Sequence, residues 1–119
     1  MLAIWPEAVT VYLHKAPVDF RKQINGLSVI VSEAMALDPF KPSLYVFTNR
    51  ARDRAKVLYW DANGFCLWQK RLEKQRFVWP LLHEDDVVSL TGDQLNWLVA
   101  GYDVFRFPPH DALVFAAVT

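Results

Sequence analysis

The sequence predicts an α+β domain: a mostly antiparallel sheet with a central hairpin (about 55–73) and two covering helices, about 23–36 and 92–100. Three observations carry this. The turn formers Asp61-Ala62-Asn63-Gly64 separate two runs rich in β-branched and aromatic residues. Apolar side chains recur at helical spacing after Gln23. A Thr-x-x-Gln capping box at Thr91–Gln94 precedes a second such pattern. The expected organisation is a single domain over 1–119, with 103–119 a C-terminal tail.

Val9-Thr10-Val11-Tyr12-Leu13 opens the chain as a strand. Ile24, Leu27, Ile30, Val31, Ala34 and Met35 then share one helical face, weakened in its first turn by Gly26. Asp38-Pro39 is expected to end that helix, because proline disfavours the helical conformation in the residue before it. Leu44-Tyr45-Val46-Phe47 reads as a short buried strand. Lys56 to Trp60 and Phe65 to Leu72 form the hairpin, joined by a turn whose first Asp and fourth Gly suit type I. Phe77-Val78-Trp79-Pro80 is expected as an edge strand closed by its proline, and Val87 to Leu90 as another. Leu95, Leu98, Val99 and Tyr102 make the second helical face, with Gly101 at its C-terminal end. Both helices are expected on one face of the sheet.

Apolar residues make up 53% of the chain, with five Trp, eight Phe and four Tyr, so there is ample material for a core. The single cysteine, Cys66, excludes an internal disulfide and a multi-cysteine zinc site, and fits a reducing compartment. Met1 to Glu7 lacks the basic start and apolar run of a signal peptide, and no stretch reaches the ~18 apolar residues of a membrane span. A cytoplasmic protein without membrane contact is expected.

Catalytic readings find little to hold them. His14, His83 and His110 are scattered, and His83-Glu84-Asp85-Asp86 on an extended chain would point to alternate sides, as a solvated acidic loop does. Asp85 and Asp86 are nevertheless the residues a metal-dependent nuclease would use. The isolated glycines form no phosphate loop, and no serine has the context of a nucleophile elbow. Cys66 lies mid-strand, where a packed thiol is expected. The expectation is therefore no enzyme, no metal and no cofactor.

Charge gives the stronger signal. Net charge is zero, yet residues 50–76 carry Arg50, Arg52, Arg54, Lys56, Lys70, Arg71, Lys74 and Arg76 against Asp53, Asp61 and Glu73. Residues 77–119 reverse this, with Arg106 against six acids. Arg50, Arg52, Arg54 and Lys56 alternate, so an extended segment would project them to one side. Closure of the hairpin would set residues 54–56 opposite about 69–72, gathering cations at its open end. Like charges opposed across strands cost some tenths of a kcal/mol, which a polyanion would offset. Trp60, Trp68 and Phe77 interleave with this ribbon and suit base stacking. Alternatively, Asp53 and Glu73 neutralise the patch and the tryptophans are core, or the patch meets an acidic protein surface or a second copy.

Several blocks in order resemble a known family. They are Asp19-Phe20-Arg21-Lys22 with Gly26-Leu27, Asp38-Pro39-Phe40, Leu44 through Arg54, Lys56 through Glu73, Arg76 through Pro80, and Leu90-Thr91 through Gln94-Leu95, Leu98 and Gly101. Over roughly residues 7–102 the chain is similar to the TnpB accessory proteins encoded beside the transposase in bacterial insertion sequences of the IS-sixty-six family. The RNA-guided nuclease of the same label is unrelated. The resemblance implies a non-catalytic role in transposition beside a larger transposase, and supplies no mechanism. Family members often end in a polar or basic tail, whereas residues 112–118 here are apolar, which favours self-association.

Two functions follow as expectations. One is nucleic-acid binding by Arg50, Arg52, Arg54, Lys56, Lys70, Arg71, Lys74 and Arg76, joined by Arg21 and Lys22 near a helix start. The other is an adaptor that docks on the transposase or other accessory subunits, or pairs with itself. Asp19 is expected to cap the helix and pair with a basic neighbour.

Overall fold

The computed structural model describes residues 4–106; the expectations placed on 107–119, including the apolar tail, lie outside the described residues. Five strands form one sheet: β1 (Thr10–His14), β2 (Ser43–Thr48), β3 (Arg54–Asp61), β4 (Gly64–Arg71) and β5 (Val87–Thr91). Their spatial order is β4-β3-β2-β1-β5, antiparallel except for the β1–β2 pair. Parallel neighbours need a crossover, which helix α1 (Ile24–Val29) and its π-helical continuation Ile30–Ala34 provide. Helix α2 (Gly92–Val99) follows β5 directly.

The two helices cover opposite faces of the sheet, not one. Leu27, Val31 and Met35 pack on Tyr45, Phe47 and Leu58. On the other face Leu95, Trp97, Leu98 and Val99 pack with Val11, Leu13, Leu44, Val46, Ala55 and Val57. The alternation within Leu44-Tyr45-Val46-Phe47 explains this, since all four residues are apolar and all four are buried. Each fully buried leucine, such as Leu27 or Leu98, contributes about 1.5–3 kcal/mol of burial free energy.

The hairpin keeps the expected register, with Arg54 opposite Arg71 and Asp61 opposite Gly64. Its turn is not type I. Only two residues link the strands, and Ala62 takes φ 53°, the left-handed conformation of the first central position in the mirror-image hairpin turns. The first helix also ends earlier than Asp38-Pro39: Ala36 adopts φ 55°, and the Leu37 N–H donates to the Val31 carbonyl at 2.9 Å.

Phe77 to Pro80 forms no strand. Phe77 and Trp79 lie across the α2 face as buried plugs, and the Trp79 indole N–H donates to the His14 carbonyl at 3.1 Å. The capping box at α2 is present as expected: the Gln94 N–H donates to Thr91 Oγ1, and the Thr91 N–H donates to Gln94 Oε1. Gly101 takes φ 101° just past the helix end.

Candidate nucleic-acid interface

The cationic segment is folded, not extended. Because β2 and β3 pair antiparallel, the chain reverses over residues 49–53. Asn49 organises that reversal. Its carbonyl accepts from the Arg52 N–H at 3.1 Å, its Oδ1 accepts from the Arg54 N–H at 3.2 Å, and its Nδ2 donates to Asp53 Oδ1 at 2.7 Å. Arg52 takes φ 60°, an uncommon conformation for a residue with a Cβ. Arg50 and Arg52 therefore belong to a turn and do not continue the alternation of Arg54 and Lys56.

The chain after β4 is stitched to this turn. The Leu72 N–H donates to the Asp53 carbonyl and the Phe77 N–H to the Arg52 carbonyl, each at 2.7 Å. These bonds bring Lys74 and Arg76 to the end of the sheet that already holds Arg50, Arg52, Arg54 and Arg71. Arg54 and Arg71 are direct cross-strand partners. Among the described residues, the side chains of Arg50, Arg54, Lys74 and Arg76 make no hydrogen bond or ion pair, and all four are exposed. Arg71 reaches Glu73 at 3.1 Å. Asp53 is held below the usual carboxylate range by the Asn49 amide, with Arg54 and Arg71 adding to the effect, so it remains an anion within the cluster.

Two expected contact residues leave the set. Lys56 is 1% exposed, and its Nζ donates to the carbonyls of Phe20 at 3.0 Å and Lys22 at 2.8 Å, 4.7 Å above the Phe20 ring. Burial lowers its pKa. It is an internal strut. Lys70 points to the other face and donates to the Val99 carbonyl at 2.8 Å, closing the C-terminal end of α2.

Arg21 and Lys22 flank the same end. The Val18 N–H donates to the Thr48 carbonyl, and a hollow of about 330 Å³ is bordered by Pro17, Val18, Asp19 and Arg50. Asp19 does not cap α1, whose N-cap is Gln23. It accepts from the Arg21 N–H at 2.9 Å and pairs with the Arg21 guanidinium at 2.6 Å, which lowers its pKa to about 2.

The aromatic side chains are not a stacking platform at this end. Phe77 is buried, and Trp68 is half-buried edge-on against Trp5 at 4.9 Å. Trp60 lies at the far, turn end of the hairpin, clustered with Phe65 and the exposed Phe40. Residues 81–86 form an exposed loop on which Lys15 donates to the His83 carbonyl and approaches Asp86 at 3.7 Å. No cluster of metal-ligating side chains occurs among the described residues.

The fold and this end together define a small sheet protein whose most distinctive surface is a cationic rim. Residues 9–108 match the family of IS66 Orf2-like proteins. The chain belongs to that family, the accessory proteins of IS66 insertion sequences. It is 37% identical over 90 residues to the uncharacterized protein y4jC of Sinorhizobium fredii, covering 76% of each chain. It is 35% identical over 100 residues to y4hO of the same organism, also uncharacterized, covering 84% of this chain and 85% of that one. No solved structure matches the chain. No helix among the described residues is long and apolar enough to cross a membrane.

Proposed function

We propose that this accessory protein binds DNA during transposition through the cationic rim of Arg50, Arg52, Arg54, Arg71, Lys74 and Arg76, flanked by Arg21 and Lys22. One observation carries this reading. Two backbone hydrogen bonds fasten the segment after β4 to the 49–53 turn, so six cations meet at one end of the sheet, with Asp53 and Glu73 among them and Asp19 beside Arg50. Such a rim neutralises phosphates and releases their counterions, a sequence-independent contribution to affinity. With Phe77 buried, Trp68 packed on Trp5 and Trp60 at the far end of the hairpin, contact is to the backbone of the nucleic acid and not to its bases. The role is non-catalytic, with the chemistry of transposition left to the transposase.

The test is binding of labelled duplex DNA at low salt by the native protein and by an Arg50/Arg52/Arg54→Ala triple variant. Loss of binding in the triple variant supports the rim; equal binding by both proteins refutes it.

A second reading is docking on the transposase through the Phe40–Trp60–Phe65 cluster at the opposite end. The observation favouring it is Phe40, which is 58% exposed while packing edge-on against Trp60 at 5.1 Å. Co-purification with the transposase that survives nuclease and is lost on Phe40→Ser supports this second role.

A further inference from the structure

Among the described residues the sheet has an open edge. Strand β4 is eight residues long, unbroken by proline or bulge, and no described residue pairs with its outer side. The direction of its backbone groups follows from the hydrogen bonds around it. The Leu72 N–H donates to the Asp53 carbonyl, and the Asn49 N–H to the Arg54 carbonyl. Residues 53, 55, 57 and 59 thus bond towards β4, and their partners 66, 68, 70 and 72 bond back. The N–H and C=O groups of Phe65, Leu67 and Gln69 consequently point outward, and no described residue bonds to them. A straight edge of this length is a template for another strand. The opposite edge, β5, is shorter at five residues and runs directly into the α2 capping box.

We propose that β4 pairs antiparallel with β4 of a second copy about a two-fold axis near Leu67, joining two sheets into one of ten strands. Charge selects this arrangement. Arg71 and Lys74 stand at one end of β4 with Glu73 between them and Lys70 held on the α2 face by the Val99 carbonyl, a net basic end, while the exposed Asp61 stands at the hairpin turn by the other. Antiparallel pairing sets the basic end of each strand beside its partner's acidic turn. Parallel pairing would bring the two basic ends together, which is unfavourable. Pairing also covers Leu67 and Trp68, each half-buried in the single chain. Such a two-fold contact is self-complementary and closes at two copies.

The experiment measures mass in solution by light scattering during size exclusion over a range of concentrations, for the native protein and Gln69→Pro. Gln69 is exposed and no described residue uses its N–H, so proline there removes an outward donor without breaking the β3–β4 ladder. Pairing gives the native protein a mass of twice 13.8 kDa and the variant a mass near 13.8 kDa, with unchanged circular dichroism. Cys66, the single cysteine, supplies a second readout independent of any variant. In the proposed register the two thiols sit diagonally, with Cα atoms about 7–8 Å apart, and a short bis-maleimide links them into a covalent dimer. A native protein that is monomeric at every concentration overturns the proposal. So does open-ended growth with concentration, which would mean β4 pairing with β5, or a dimer that yields no Cys66 cross-link.

Discussion

Arg54 and Arg71 face each other across β3 and β4 as direct partners, two guanidinium groups on neighbouring strands that both act on the Asp53 carboxylate. Opposed like charges destabilise a sheet by a few tenths of a kcal/mol. Arg71 has Glu73 beside it, whereas Arg54 has no side-chain partner among the described residues. A ligand bearing phosphates would add to the counter-charge that Asp53 supplies.

Arg54→Ala is accordingly expected to leave stability unchanged or to raise it by a few tenths of a kcal/mol in urea denaturation, while weakening DNA binding. A structural residue would show the opposite pattern, with stability falling and binding following it.

Lys56 is expected to behave as that structural residue. Lys56→Met keeps most of the aliphatic stem but strips the Phe20 and Lys22 carbonyls of their donor, costing about 1–3 kcal/mol by denaturant titration. The pH dependence has a defined sign. Burial penalises the charged form, so the folded-state pKa lies below 10.5 and the unfolded chain holds the proton longer. The native protein therefore gains stability relative to Lys56→Met as pH rises from that lowered pKa towards 10.5. Parallel pH profiles for the two proteins would contradict the buried-strut assignment.

Asp19 gives a second pH signature with the reverse logic. Its folded pKa of about 2 lies below the ordinary 3.8, so its stabilising effect is complete above 3.8 and is lost as pH falls through about 2. A carboxyl-carbon NMR titration should place Asp19 near 2 and return it towards 3.8 in Arg21→Ala, because the guanidinium is the main cause of the shift.

Gly92 lies where the N-terminal segment crosses α2. A Cβ there would sit 1.7 Å from the Pro6 carbonyl oxygen, a backbone atom that cannot turn aside. Gly92→Ala is expected to destabilise by about 1–3 kcal/mol through forced displacement of the segment around Pro6. Gly64→Ala is the control: no atom lies within 4 Å of its added methyl group. Thermal unfolding of the two variants should separate them clearly.

Local features were readable from the residues themselves. The capping box at Thr91–Gln94 and the hairpin register around Asp61–Gly64 depend on side chains within a few positions of one another. The fate of Lys56 was not readable, because its acceptors Phe20 and Lys22 lie 36 and 34 residues earlier. Alternation suggested a common side for Arg50 through Lys56, but the antiparallel return from β2 to β3 turned Arg50 and Arg52 out of that row. Asn49 carries a local signal for this reversal, since asparagine is a recognised turn former. The two-sided burial of the sheet had a signal in the unbroken apolar run of β2, which a one-sided sheet would not need.

The central claim is that the rim contacts phosphates, and the salt dependence of binding tests it most directly. Arg50, Arg54, Lys74 and Arg76 are exposed and without an ion pair among the described residues. If these four meet phosphates, log affinity for duplex DNA falls against log salt with a slope of roughly −3.6. The Arg50/Arg52/Arg54→Ala variant should be shallower by roughly 2, as two of the four are removed. A native slope near zero, or one the triple substitution leaves unchanged, would contradict the account.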